Sequence, residues 1–286
     1  MNVLLVNDDG VECALFLSLL RECKKIPWIS KLSAVVPAFE KSWIGSAITR
    51  DALLRCEERE VEGVKVFIVD GTPADCVSIS FSGLFPSRPD LIISGLNVGR
   101  NSSVAFSNGS GTLNAAKFGA LHGVPSVAFS MQASNEIKNA WNSRDDKVLS
   151  TFENLFDGVN KYLLKATKAL LDSGLLIGEK AVAHYCSFNS SHVLDSSLEP
   201  VLCTPLNNRF APLFVEVEPR VFKHKFNGFD ENFKETLEYK PVLPDDEKIV
   251  FSGRVAYSLF RVDYDYGLLN LPTDCSGRMS EAWSAL

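Results

Sequence analysis

The chain lacks the features that mark several common functional classes. Its seven cysteines, at 13, 23, 56, 76, 186, 203 and 275, form no Cys-x-x-Cys pair and no Cys/His cluster with zinc spacing. Neither a disulfide framework nor a structural zinc is therefore expected, and scattered free thiols fit a reducing, cytoplasmic compartment. No apolar run approaches the length of a membrane helix, and no basic segment followed by an apolar stretch opens the chain. With no secretory signal expected, the Asn-x-Ser sequences at Asn101, Asn108 and Asn189 carry no expectation of glycosylation. Positive charge is also in short supply. Twenty-nine Lys and Arg against 35 Asp and Glu give a net charge of −6, which offers no bulk attraction for nucleic acid polymers or anionic membrane. Internal repeats and low-complexity segments are absent.

What is present is a globular composition, 46% apolar and 22% charged over 286 residues. That is enough for one large domain or one domain with an appendage. The first apolar run, Val3-Leu4-Leu5-Val6, stops at Asn7-Asp8-Asp9-Gly10. A short run of β-formers ending in two carboxylates reads as a buried strand that delivers charge at its carboxyl end, the edge where open α/β sheets bind ligands. Adjacent carboxylates repel each other, and a divalent cation between them would relieve this. Asp is equally suited to turns and helix N-caps, so on these residues alone both readings stay open.

Phe16, Leu19, Leu20 and Cys23 share one helix face, which Lys24-Lys25 and Pro27 close. A strand over 32–36 ends at Pro37, a polar loop covers 37–49, and residues 53–60 and 64–69 form an antiparallel pair around Glu62-Gly63. Pro73 opens a helix over 73–84. Leu91-Ile92-Ile93 is a further buried strand, followed by the loop 94–101. Asn108-Gly109-Ser110-Gly111-Thr112 precedes a helix over 113–121, and 124–130 is another strand. This alternation predicts a parallel α/β sheet. The polar stretch 133–147 reads as a surface connection, and Phe152, Leu155, Val159, Tyr162, Leu163 and Ala166 mark a long amphipathic helix. From 181 the chain turns β-rich and is broken by Pro200, Pro205, Pro212, Pro219, Pro241 and Pro244. The expected division is a catalytic core over 1–180 and an irregular extension over 181–286, within the same domain or serving oligomerisation.

Asp8-Asp9, Ser42 and Asn97 lie on three loops that follow apolar strands. Carboxylates, a hydroxyl and an amide carbonyl make an all-oxygen set, suited to Mg²⁺, Mn²⁺ or Ca²⁺ rather than zinc. Ser110-Gly111-Thr112, at a helix start, offers backbone N–H groups and two hydroxyls to an anion. A cation beside an anion cradle is the machinery of phosphoryl hydrolysis. Taken singly, each part has an ordinary explanation: an N-cap for Ser110, loop for Ser42, a turn for Asn97. Lys41 could meet phosphate or stay solvated, Asp75 could touch substrate or cap a helix, and His122 suits a helix C-terminus. Trp43 and Phe106 could stack on a base or merely cover the loop.

In their order and wording these segments resemble the SurE family, the survival-protein-E nucleotidases. The resemblance rests on Asn7-Asp8-Asp9-Gly10, on Pro37 with Ser42 five residues later, on Gly71-Thr72-Pro73-Ala74-Asp75-Cys76-Val77, on residues 89–101 and on Ser110-Gly111-Thr112. It implies a Rossmann-like core with helices on both faces, and a metal-dependent phosphomonoesterase acting on nucleoside 5′- or 3′-monophosphates. It further implies Mg²⁺ or Mn²⁺ held by Asp8, Asp9, Ser42 and Asn97, with phosphate meeting Asn97, Ser110, Gly111 and Thr112. Homodimers or homotetramers built through the C-terminal extension are implied too. A cation-activated water is the preferred nucleophile, with Asp8 or Asp9 as a covalent nucleophile the alternative. The competing functions are a broader acid phosphatase or polyphosphatase using the same site, and a non-enzymatic interaction protein with a degenerate pocket. The chain departs from the family pattern at Cys13-Ala14, where proline and glycine are usual, and in residues 38–43.

Overall fold

A computed structural model describes residues 1–179, 181–226, 228, 244–262 and 274–286. Its strands are β1 (Asn2–Val6), β2 (Lys31–Pro37), β3 (Cys56–Val61), β4 (Val64–Val69), β5 (Leu91–Val98), β6 (Ser126–Gln132), β7 (Tyr185–Ser191), β8 (Val201–Leu202), β9 (Phe214–Glu218), β10 (Val221–His224) and β11 (Ala256–Phe260). The helices are α1 (Ala14–Lys24), α2 (Pro73–Ile79), α3 (Ser103–Gly109), α4 (Gly111–Leu121), α5 (Asn135–Ser143), α6 (Asp146–Ser150), α7 (Glu153–Asp172), α8 (Asp246–Phe251) and α9 (Cys275–Ser284).

Nine strands form one sheet in the order β3-β4-β2-β1-β5-β6-β7-β11-β8. It is parallel from β4 to β7, with β3 antiparallel at one edge and β11 antiparallel to β7. The continuous apolar runs follow from burial on both faces. Val3 and Leu5 of β1 pack into one helical layer and Leu4 and Val6 into the other; Leu91 and Ile93 divide from Ile92 in the same way on β5. One layer is built by α1, α7 and α9, the other by α2 and α4. Fully buried Leu15, Phe16, Leu19 and Leu20 fix α1 to the sheet, each by roughly 1.5–3 kcal/mol of transfer free energy. This is the expected Rossmann-like α/β architecture.

From β1 the chain builds outward through β2 and β4, then returns to the other side of β1 to lay down β5, β6 and β7. The strand order reverses between β1 and β5, and the crevice at the carboxyl ends of such a pair is where doubly wound sheets hold ligands.

Some expectations need correction. The surface connection expected over 133–147 is helical: α5 and the start of α6 occupy it, and Ile137, Ala140 and Trp141 form a buried stripe beneath the polar residues. The helix expected over 73–84 is regular only through Ile79; a π-helical turn, Ser80–Leu84, follows, broken at Gly83 with φ +90°. α3 arises within a stretch of serines and asparagine that carries no apolar period. Beyond residue 180, β7, β11 and β8 continue the same sheet, and β7 is buried throughout. Its polar residues are hydrogen-bonded: Asn189 Oδ1 accepts from Asn101 N at 2.7 Å, and Ser190 Oγ donates to the Ser130 carbonyl at 3.3 Å. The β9–β10 hairpin forms a separate, exposed two-stranded sheet, and Pro241 lies outside the described residues. Asp246 ties the tail to the core by accepting from the amides of Ser103 (2.7 Å), Leu206 (2.9 Å) and Glu247 (2.9 Å).

Candidate cation and phosphate site

Val6 of β1 pairs with Ser94 of β5, so Asp8 and Asp9, just past β1, lie at the same edge of the sheet as Asn97, which sits not on the expected 94–101 loop but near the carboxyl end of β5, paired with Ser130 of β6. Asp8 and Asp9 are buried, at 3% and 8% exposure. Burial pushes the Asp8 carboxyl up to about 6, against the lowering effect of its hydrogen bond from Thr112. Asp9 is raised well above the carboxylate range by burial first, then by the charges of Asp8 and Glu40, with Arg144 opposing. Two adjacent buried carboxylates, with the charge of Asp8 raising Asp9, favour a positive charge beside them, and hard oxygen donors fit a divalent cation.

Three loops close around this pair. The Lys41 amide donates to the Asp8 carbonyl at 2.7 Å, and the Gly45 amide to that of Gly109 at 3.0 Å. Thr112, in the first turn of α4, donates its hydroxyl proton to Asp8 Oδ1 at 2.6 Å. Gly111 is required by this approach: a Cβ there would stand 2.9 Å from both Cβ and Oδ2 of Asp8 and 3.1 Å from the Lys41 carbonyl. Ser110 is the N-cap, its Oγ accepting from Leu113 N at 2.9 Å. The amides of Gly111 and Thr112 belong to a first helical turn, whose N–H groups have no intrahelical acceptor and favour an anion.

The structure thus brings Asp8, Gly111 and Thr112 into direct contact. Asn97 lies one strand over, where its Nδ2 donates to the Gly99 carbonyl at 2.7 Å. The chain reaches Asn97 through Gly95, at φ +137°, where a Cβ would collide with the Phe129 carbonyl oxygen. Ser42 is exposed and donates to Glu40 Oε1 at 2.8 Å rather than to either aspartate. Among the described residues, no group of three or more His, Cys, Asp or Glu side chains is placed to hold a metal.

The bland readings hold for two residues. Asp75 completes a capping box with Thr72 and accepts from Thr49 N and Oγ1 at 3.0 and 2.7 Å, so it fixes the end of the 37–49 loop. His122 caps α4 and stacks on Phe81 at 4.5 Å. Sequence reasoning missed Arg144, which pairs with Glu40 at 2.6 Å and brings positive charge toward Asp9. It lies in the polar stretch read as surface, and no local signal sets it apart. Cys13, at the departure from the family pattern, places its thiol 3.9 Å from Asp9 Oδ2.

The family model for survival protein SurE matches residues 3–192. The chain belongs to the SurE family. Among curated relatives, the 5′-nucleotidase SurE of Methanopyrus kandleri is 33% identical over 176 residues, 62% of this chain and 64% of that protein. The 5′-nucleotidase SurE of Thermosipho africanus is 40% identical over 133 residues, 46% of this chain and 50% of that protein. The chain therefore spans less than two thirds of the length of either relative. The crystal structure of the SurE protein from Aquifex aeolicus superposes with a TM-score of 0.65 at 22% identity, covering 98% of this chain and all of that one, a likeness of fold. No helix among the described residues of this SurE-family chain is long and apolar enough to cross a membrane.

Proposed function

We propose that this chain is a divalent-cation-dependent phosphomonoesterase that hydrolyses nucleoside monophosphates to nucleoside and phosphate. The observation that carries the reading is the Thr112–Asp8 hydrogen bond, which joins a buried carboxylate pair to the first turn of α4 at the sheet's switch point. The names of the curated relatives support the same substrate class.

Asp8, Asp9, Ser42 and Asn97 would hold Mg²⁺ or Mn²⁺, which when bound neutralises phosphate charge and lowers the pKa of water. Thr112 holds the Asp8 carboxylate in one orientation. The Gly111 and Thr112 amides, with the Ser110 hydroxyl and the Asn97 side chain, receive the phosphoryl oxygens. Glu40 and Arg144 form an ion pair that brings the positive charge of Arg144 to the Asp9 side of the site. Seven free thiols support a reducing, cytoplasmic setting. The exposed β9–β10 hairpin, with Phe214 and Phe222 at 58% and 60% exposure, supports assembly as a homodimer or homotetramer.

The test is phosphate release from nucleoside monophosphates, sugar phosphates and short polyphosphate, each with Mn²⁺, with Mg²⁺ and with chelator. Nucleotide-selective, cation-dependent release is expected. Equal rates on all esters would assign a broad phosphatase, and release from none would remove the enzyme reading.

A further inference from the structure

Four separated segments bring aromatic rings together beside the phosphate loop. Trp43, one residue past Ser42, lies 5.8 Å from Phe106 of α3, 5.3 Å from Phe210, 5.1 Å from His224 of β10 and 6.3 Å from Phe226, centroid to centroid. Phe106 and Phe226 are themselves 5.4 Å apart. The cluster borders the anion cradle: Trp43 Cε3 would be 3.3 Å from a Cβ on Gly109, the residue before Ser110. Despite four aromatic neighbours, Trp43 stays 41% exposed and Phe226 42%. Trp43 also adopts φ +63°, a left-handed conformation costly for a bulky residue and characteristic of functional loops.

Resting on the phosphomonoesterase reading, we propose that Trp43, with Phe106, Phe210 and Phe226, forms the surface on which the substrate's nucleobase stacks. A nucleobase is the occupant that this juxtaposition favours, because the rings begin where the phosphate cradle ends and because they present π-faces. Such faces bind planar bases with little regard to sequence or exocyclic groups. Phe210, His224 and Phe226 lie beyond residue 192, where the family match stops. The C-terminal segment of this chain therefore completes a base-stacking surface that Trp43 and Phe106 begin within the family-matched core.

Ribose 5-phosphate is the baseless counterpart of a nucleoside 5′-monophosphate and isolates the contribution of the rings. The ratio of kcat/KM for AMP to that for ribose 5-phosphate is to be measured with Mn²⁺ on the full chain and on Trp43→Ala and Trp43→Phe. The Ala variant should lower the ratio on the order of tenfold, about 1.4 kcal/mol, mainly through KM for AMP, and the Phe variant should restore most of it. An unchanged ratio would overturn the proposal, and an unchanged ratio with an altered solution mass would assign the rings to a subunit contact instead. Binding of adenosine, which carries no phosphate, gives a readout that does not depend on turnover. The chain has four tryptophans, and saturable quenching by adenosine should occur in the wild type and vanish in Trp43→Phe. If the wild type releases phosphate from neither ester, the phosphatase reading fails, while quenching still decides the stacking surface. No quenching in the wild type would overturn it.

Discussion

Thr112 and Asp8, 104 positions apart in sequence, share a hydrogen bond of 2.6 Å within the interior. Through it the anion-binding turn of one helix sets the orientation of a carboxylate delivered by the central strand. Thr112→Val keeps the shape of the side chain and removes the donor, leaving Asp8 short of a buried partner. Stability should fall by about 1–3 kcal/mol and kcat/KM for AMP by roughly tenfold or more. Thr112→Ser should recover most of both, as read by urea unfolding and by phosphate release.

Gly111 lets α4 approach Asp8. Gly111→Ala places a methyl group 2.9 Å from Asp8 Cβ and Oδ2, so the helix start or the carboxylate must move. The expected result is a loss of about 1–3 kcal/mol in stability and a fall in activity of at least tenfold. Near-normal kcat/KM in this variant would show that the contact does not position the reacting groups.

The Glu40–Arg144 pair is half exposed, so its own contribution to stability is at most about 1 kcal/mol. Its larger effect is on the charge beside Asp9. Arg144→Ala should lower the Tm of the cation-free protein and enlarge the rise in Tm that Mn²⁺ produces. Thermal melts with chelator and with Mn²⁺ test this; an unchanged increment would count against it.

Asp246 offers a pH test away from the site. Burial raises it from 3.8 to about 6 despite three backbone N–H donors. Its contribution to stability is therefore fully present below pH 3.8 and is lost as pH rises through 6, by up to about 3 kcal/mol. Asp246→Asn has no such titration. The stability gap between wild type and variant should be larger at pH 4 than at pH 7 by urea unfolding, and a gap that widens with rising pH would contradict the assignment.

The first 130 residues were largely readable because each device there is local. Val3 to Val6 and Leu91 to Ile93 are short apolar runs, the carboxylates directly follow the first, Asn97 lies just beyond the second within the same strand, and the glycine segment opens a helix. Local pattern failed where long-range hydrogen bonds replace apolar burial. In β7, Asn189 is satisfied by Asn101, so an alternating strand is buried on both faces. α3 depends on Asp246, 143 positions from Ser103, to accept its first amide. The polarity of 133–147 hid Ile137, Ala140 and Trp141, and with them the helix that places Arg144 opposite Glu40. Trp43 and Phe106 were visible as candidates, but the rings that complete their cluster come from the segment past residue 192, where no motif guides the reading.

Asp8 is central to the proposed chemistry, and the measurement that tests its role most directly is phosphate release from AMP as a function of Mn²⁺ for the wild type and Asp8→Asn. The wild type should be inactive in chelator and saturate with Mn²⁺, while the variant should lose at least a hundredfold in kcat/KM and need more Mn²⁺ for what remains. Wild-type activity that persists in chelator, or an Asp8→Asn variant with the wild-type Mn²⁺ dependence, would contradict it.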